Sequence, residues 1–165
     1  MHFCSTKHIE ILAIQEHRIH YKEEVNYCIQ KLGSWYFIYS SADEHAIGGV
    51  GFLVSSRVFT LIEAINLISL RILSISLVPG CHFTSTFLSV YSPTSEADLP
   101  TINTFYDDLT TYYSTIHLAR DFPIICGDFN ATLTSASHSI LFSPNETSNR
   151  NADLFHELCY WGEYR

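Results

Sequence analysis

Asp128 and Asn130 follow the apolar run Pro123-Ile124-Ile125-Cys126, with Gly127 before them and Phe129 between them. A short apolar run bounded by Pro and Gly reads as a strand covered on both faces. In extended geometry, residues two apart point to the same side. A carboxylate and a carboxamide delivered together at a strand end suit a hard cation such as Mg²⁺, which takes oxygen ligands and keeps several waters. An Asx turn is the other reading of the same residues, since Asp and Asn are common after strands. A second run, Ile11-Leu12-Ala13-Ile14-Gln15, also ends in a carboxylate, Glu16, followed by His17 and Arg18. Acids at the ends of both runs shift the balance toward a metal-assisted site. A further run, Phe87 to Tyr91, ends in a tyrosine ahead of the turn Ser92-Pro93-Thr94, and the glycine-rich Gly48-Gly49-Val50-Gly51 precedes it in the chain.

Taken in order, Gln15-Glu16, Gly48-Gly49-Val50-Gly51, Val90-Tyr91-Ser92-Pro93-Thr94 and Gly127-Asp128-Phe129-Asn130-Ala131 resemble the endonuclease/exonuclease/phosphatase superfamily of Mg²⁺-dependent phosphodiesterases. Within it they are most similar to the apurinic-endonuclease-like endonucleases of non-LTR retrotransposons. The resemblance implies an α+β fold, a four-layer α/β/β/α sandwich of two packed, mainly antiparallel sheets with helices outside. It also implies hydrolysis of DNA phosphodiester bonds with Mg²⁺ or Mn²⁺. In that family Glu16 would bind the metal, Asp128 would orient or deprotonate the attacking water, Asn130 would position phosphate and nucleophile, and Tyr91 would hydrogen-bond the phosphate. All four would converge on one cleft. Asn151 stands where retroelement members often carry Asn-Gly before a helix, so it is the expected contact to a nucleic-acid backbone; a helix N-cap is the alternative role. A phosphatase acting on another phosphoester is the alternative within the family, because a fold does not fix its substrate.

The family pattern is incomplete here. Its first strand ends in a metal-associated Asn, and its last segments supply an Asp and an Asp-His pair. Residues 1–9 contain no Asn, and neither His138 nor His156 follows an Asp. Residues 1–165 are therefore expected to be a partial domain with impaired catalysis, or an inactive remnant of one. Sheet edges left uncovered would favour self-association.

Composition bounds the rest. An apolar fraction of 47% with 14% aromatic residues excludes disorder, and 165 residues is a one-domain length. Cys4, Cys28, Cys81, Cys126 and Cys159 show no C-x-x-C pair, so free thiols, no zinc site and an intracellular location are expected, the nucleus for a retroelement endonuclease. The stretch 64–78 is apolar but interrupted by Asn66 and Arg71, so no membrane span is expected. A net charge of −8 counts against gripping DNA by counterion release, although carboxylates that hold a metal contribute to that count. Lys7, His17 and Arg18 are the basic residues expected near the site.

To position these groups, the sequence predicts a covering helix over 20–32, from Val25, Cys28, Ile29 and Leu32 at helical spacing with Gly33 ending it. Strands are predicted over 34–40, 49–55, 60–66, 70–78 and 82–91, with turns at Asp43-Glu44 and Pro79-Gly80. Leu99, Ile102, Phe105, Tyr106, Leu109, Tyr112, Tyr113 and Ile116 mark a second helix, with Pro100 in its first turn. A third helix runs from about Asn151 with Leu154, Phe155, Leu158 and Trp161 on its inner face.

Overall fold

Strand β3 (Trp35–Tyr39) shows how the sheets are built. Ile38 packs into one cluster and Trp35 and Phe37 into another, and all three are buried, so this strand is covered on both faces. The structure is a computed structural model that describes residues 2–21, 26–78, 84–117, 122–133 and 147–163. Pro79-Gly80, Cys81, His138 and the Trp161 side chain, all invoked above, lie outside the described residues.

The first sheet has the order β1 (Ile11–Gln15), β4 (Val50–Ser55), β3, β2 (Cys28–Leu32), and every pair in it is antiparallel. The second has the order β5 (Ile62–Ser69), β6 (Ile72–Leu77), β7 (Ser85–Tyr91), β8 (Phe122–Asp128). Its first three strands pair antiparallel. β8 follows the long helix α3 (Leu99–His117) and runs parallel to β7: Phe122 N–H donates to the Thr84 carbonyl at one end and Ser92 N–H to the Asp128 carbonyl at the other. A crossover helix is what a parallel neighbour requires.

The facing surfaces of the sheets make the main core. Ile38, Val50, Phe52 and Val54 pack with Leu73, Ile75, Leu77 and Tyr91. Gln15 Nε2 donates to Ser89 Oγ at 3.0 Å and Ser40 Oγ to the Leu70 carbonyl at 3.3 Å, which ties one sheet to the other. On the far face of the first sheet, Cys4 of α1 (His2–Thr6) clusters with Trp35, Phe37 and Leu53. On the far face of the second, the Tyr112 hydroxyl at the C-terminal end of α3 meets Ser74 Oγ at 2.6 Å and accepts from Asn66 Nδ2 at 3.1 Å. The short α2 (Ser56–Phe59) is N-capped by Ser55, and α4 (Arg150–Glu163) lies in the C-terminal part. The fold is thus the α+β arrangement of packed sheets that the resemblance implies. The chain divides into two compact units, residues 1–91 with 112–127, and residues 92–111 with 128–165.

Three expectations are corrected. The helix predicted over 20–32 is replaced, where described, by strand β2, with residues 22–25 outside the described set. Gly33 at φ +66° and Ser34 form the two-residue turn joining β2 to β3, so this Gly-Ser pair marked a hairpin and not a helix end. Pairing with Trp35–Tyr39 outweighs the helical spacing of the apolar residues. β1 and β8 are half-buried where full burial was expected, because each has one strand partner among the described residues. β1 still packs Ile11 and Ala13 toward the inter-sheet core and Leu12 and Ile14 toward the Trp35 cluster. Leu99 is 54% exposed, being the first residue of α3, whose buried stripe begins at Ile102.

Phe52, with no exposed surface, sits in the inter-sheet core, whereas Ile29 on β2 is 45% exposed. Phe52→Ala is expected to cost about 3–5 kcal/mol, and Ile29→Ala less than about 0.5 kcal/mol. Urea unfolding midpoints check this; equal losses would contradict the sandwich.

Candidate functional site

Glu16 owes its position to a sharp change of backbone. β1 stops at Gln15 because Glu16 takes φ +53°, and Arg18 follows at φ +60°. Residues with a Cβ rarely enter this left-handed region and stay there only when their surroundings hold them. Gly48 and Gly49, themselves at φ +81° and +82°, supply the hold: His17 N–H donates to the Gly49 carbonyl at 3.4 Å and Arg18 N–H to the Gly48 carbonyl at 3.1 Å. The His17 ring fills the room that Gly49 leaves, since a Cβ there would stand 2.4 Å from the ring. It lies edge-on to Phe37 and Tyr39 at 5.7 and 5.5 Å between centroids.

His17 Nδ1 accepts the Ile19 N–H at 3.0 Å, so the neutral ring carries its proton on Nε2. Nε2 is buried near the Val50 and Ser40 backbone but lacks a hydrogen bond of good geometry. Burial lowers the His17 pKa, and the neighbouring backbone only partly offsets it. His17 is near the site in sequence, but strand alternation would turn its side chain to the other face. It is indeed packed on the sheet, but alternation has already ended at Glu16.

Glu16 and Arg18 stay at the surface, with side chains 38% and 67% exposed and Arg18 Nη2 at 2.5 Å from Glu16 Oε1. This pair raises the Arg18 pKa above its ordinary value, and the Tyr91 phenol adds to the effect. An exposed pair of this kind contributes little to stability. What it does is neutralise Glu16 in the absence of another cation.

Tyr91, at the end of β7 and 8% exposed, stands 3.9 Å through its Cδ1 from where a Cβ on Gly48 would be. Arg71 also holds it. Its guanidinium lies 5.3 Å from the Tyr91 ring centroid, Nη1 donates to the Tyr91 carbonyl at 3.3 Å, and the Arg71 carbonyl accepts the Tyr91 N–H at 2.9 Å. The sequence reading treated Arg71 only as an interruption of an apolar stretch. Its signal was a charged residue in the two-residue Leu70-Arg71 turn between β5 and β6. Glu16, Arg18, Arg71 and Tyr91 thus gather around Gly48 within the first unit.

Asp128, Asn130 and Asn151 belong to the second unit. Asp128 is exposed at the end of β8, and its Oδ1 accepts the Asn130 N–H at 2.8 Å, the Asx turn weighed above. Asn130 takes φ +47° and donates Nδ2 to the Ser92 carbonyl at 2.7 Å. Asn151, expected at a nucleic-acid backbone, has no exposed surface. Its Nδ2 donates to the Pro93 carbonyl at 2.8 Å and the Phe129 carbonyl at 3.2 Å, so it joins the Pro93 turn to the Asn130 loop. The N-cap role falls to Asn149, whose Oδ1 accepts from Ala152 N–H at 3.2 Å and from Thr132 N–H at 2.9 Å, while its Nδ2 donates to the Asn130 carbonyl at 2.8 Å. The Tyr106 hydroxyl donates to the Asn151 carbonyl at 3.2 Å, and burial pushes the phenol pKa up to about 12, which keeps it a donor at neutral pH. Asn149 and Tyr106 were not singled out from the sequence as part of this loop's support.

Among the described residues no group of three or more His, Cys, Asp and Glu could enclose a metal. Glu16 and Asp128 are each exposed enough to offer a carboxylate oxygen. Each carboxylate by itself fits Mg²⁺ bound through one protein oxygen, waters and substrate phosphate, and does not fit a closed all-protein cage. The described cysteines Cys4, Cys28, Cys126 and Cys159 form no disulfide with one another, and no described helix is long and apolar enough to cross a membrane.

Gly49→Ala is expected to destabilise by about 1–3 kcal/mol, because the new Cβ meets the His17 ring; pairing it with His17→Ala should recover the part due to that clash, as a double-mutant cycle would show. Because the folded His17 pKa lies below the ordinary 6.5, the unfolded chain takes up the proton first. Its contribution is therefore whole above pH 6.5 and is lost as pH falls through the lowered folded value. His17→Phe should flatten that limb of the stability curve. In the second unit, Asn151→Ala is expected to cost about 1–3 kcal/mol by leaving buried carbonyls unpaired, measured by urea unfolding. Comparison with known proteins adds no assignment: no protein-family model matches the chain, and no curated protein matches it.

Proposed function

We propose that this chain is an endonuclease/exonuclease/phosphatase-type domain that hydrolyses phosphodiester bonds of DNA with Mg²⁺ or Mn²⁺. The observation that supports this most is the gathering of Glu16, Arg18, Arg71 and Tyr91 around Gly48, at the ends of strands from both sheets. Phosphoryl transfer needs negative charge on the phosphate oxygens neutralised by fixed donors. The exposed Arg18 guanidinium and the Tyr91 phenol are such donors. Bound Mg²⁺ would supply Lewis acidity and a more acidic water, and Glu16 is the residue to hold it. Asp128 presents an exposed carboxylate suited to accept a proton or hydrogen bond from water. Asn130 uses an amide hydrogen on Ser92 and has a second N–H for a phosphate oxygen.

A second reading is a catalytically inactive remnant. It draws on the pairing of Glu16 with Arg18 and the commitment of Asp128 Oδ1 to the Asn130 N–H, each of which partly satisfies a carboxylate within the protein. A phosphatase acting on a smaller phosphoester is the third, since a guanidinium and a phenol recognise any phosphoryl group.

Supercoiled plasmid incubated with Mg²⁺ tests these readings. Weak metal-dependent nicking is expected, and Asp128→Ala should reduce it by about a hundredfold or more, as removal of one member of a catalytic group does. Nicking unaffected by Asp128→Ala would sink the nuclease reading. No nicking by a folded chain favours the remnant, unless 4-nitrophenyl phosphate is turned over, which favours the phosphatase.

A further inference from the structure

We propose that Arg71 is a positioning residue that fixes the Tyr91 phenol for phosphate contact, an inference that rests on the phosphodiesterase reading above. Three contacts join the same two residues. The guanidinium lies 5.3 Å from the ring centroid, Nη1 donates to the Tyr91 carbonyl at 3.3 Å, and Tyr91 N–H donates to the Arg71 carbonyl at 2.9 Å. Ring, carbonyl and amide of Tyr91 are therefore all referred to one residue.

The placement of Arg71 is itself fixed. Ile72 pairs with Val90, so Arg71 stands one step beyond the paired end of β6, opposite Tyr91. Its own N–H donates to Ser69 Oγ at 3.3 Å, and the adjacent Leu70 carbonyl accepts from Ser40 Oγ of the first sheet at 3.3 Å. The loop carboxylate Asp43 lies close enough for Arg71 to contribute, after the Ile47 and His45 N–H groups, to lowering the Asp43 pKa. A planar guanidinium can stack on an aromatic face and donate in its own plane at once, which an ammonium cannot. With its guanidinium over the ring and Nη1 on a carbonyl, Arg71 acts through Tyr91, whereas Arg18 is the more exposed cation.

The test combines tyrosine-labelled ¹³C NMR with plasmid nicking, on the full chain and on Arg71→Met, Arg71→Lys, Tyr91→Phe and the Arg71→Met/Tyr91→Phe pair. The Tyr91 ring signals, identified by their loss in Tyr91→Phe, are expected to move in Arg71→Met while the tyrosines remote from it keep theirs. The nicking kcat should fall about tenfold with KM within about twofold. Arg71→Lys, which keeps a cation at the ring, should recover part of the rate. In the Tyr91→Phe background Arg71→Met should cost little more, since the hydroxyl it positions is gone. An equal cost in both backgrounds would overturn the proposal and make Arg71 a direct phosphate contact. Unmoved Tyr91 signals in both Arg71→Met and Arg71→Lys would overturn it too. Should Arg71→Met not fold, Arg71→Lys carries the same NMR comparison. If the unsubstituted chain does not nick, the nuclease reading fails on its own, while the NMR arm still decides whether Arg71 holds Tyr91.

Discussion

The inter-sheet core sets the positions of the site residues in the first unit. Phe52, Ile38 and Val50 from one sheet and Leu73 and Ile75 from the other have no exposed surface. Their removal from water at roughly 25 cal/mol per Å² is the main force holding the sheets together. Polar groups caught at the margin of such an interface must find partners or be costly. Gln15 finds Ser89, and Ser40 takes the Val50 N–H at 3.0 Å while donating to the Leu70 carbonyl. These bonds pin the end of β1 and the β5–β6 turn, and Glu16 and Arg71 follow directly from those two points.

Strain at the site is matched by close packing. Two non-glycine residues in the left-handed region, Glu16 and Arg18, flank a histidine whose ring occupies the space of a missing side chain. The neutral, half-buried His17 works as a wedge under the turn, with its chemistry subordinate to its shape. Gly48 and Gly49 both take positive φ, but only Gly49 is needed for space, since it admits the His17 ring while Tyr91 would make ordinary contact with a side chain at Gly48.

The second unit solves its own problem with asparagines. A loop that must present Asp128 and Asn130 at the surface has backbone carbonyls turned inward, and these need donors. Asn149 and Asn151 supply them from the start of α4, and Tyr106 reaches the same point from α3. A carboxamide carries donors and an acceptor on one short stem, which is why Asn suits a helix start packed against a loop.

The sequence by itself determined the strands from Trp35 onward, the long α3, and the strand-end placement of Glu16, Tyr91 and Asp128, because apolar alternation and helical periodicity are local properties. It also held the packed α+β class, through the order of those elements. Only tertiary pairing decided that Cys28–Leu32 is a strand, since its apolar spacing is equally helical and the partner strand breaks the tie. Tertiary structure alone likewise brought Arg71 beside Tyr91, twenty residues away in sequence, and buried Asn151. Cross-strand register and burial depend on residues distant in the chain, and no local pattern of residue types contains them.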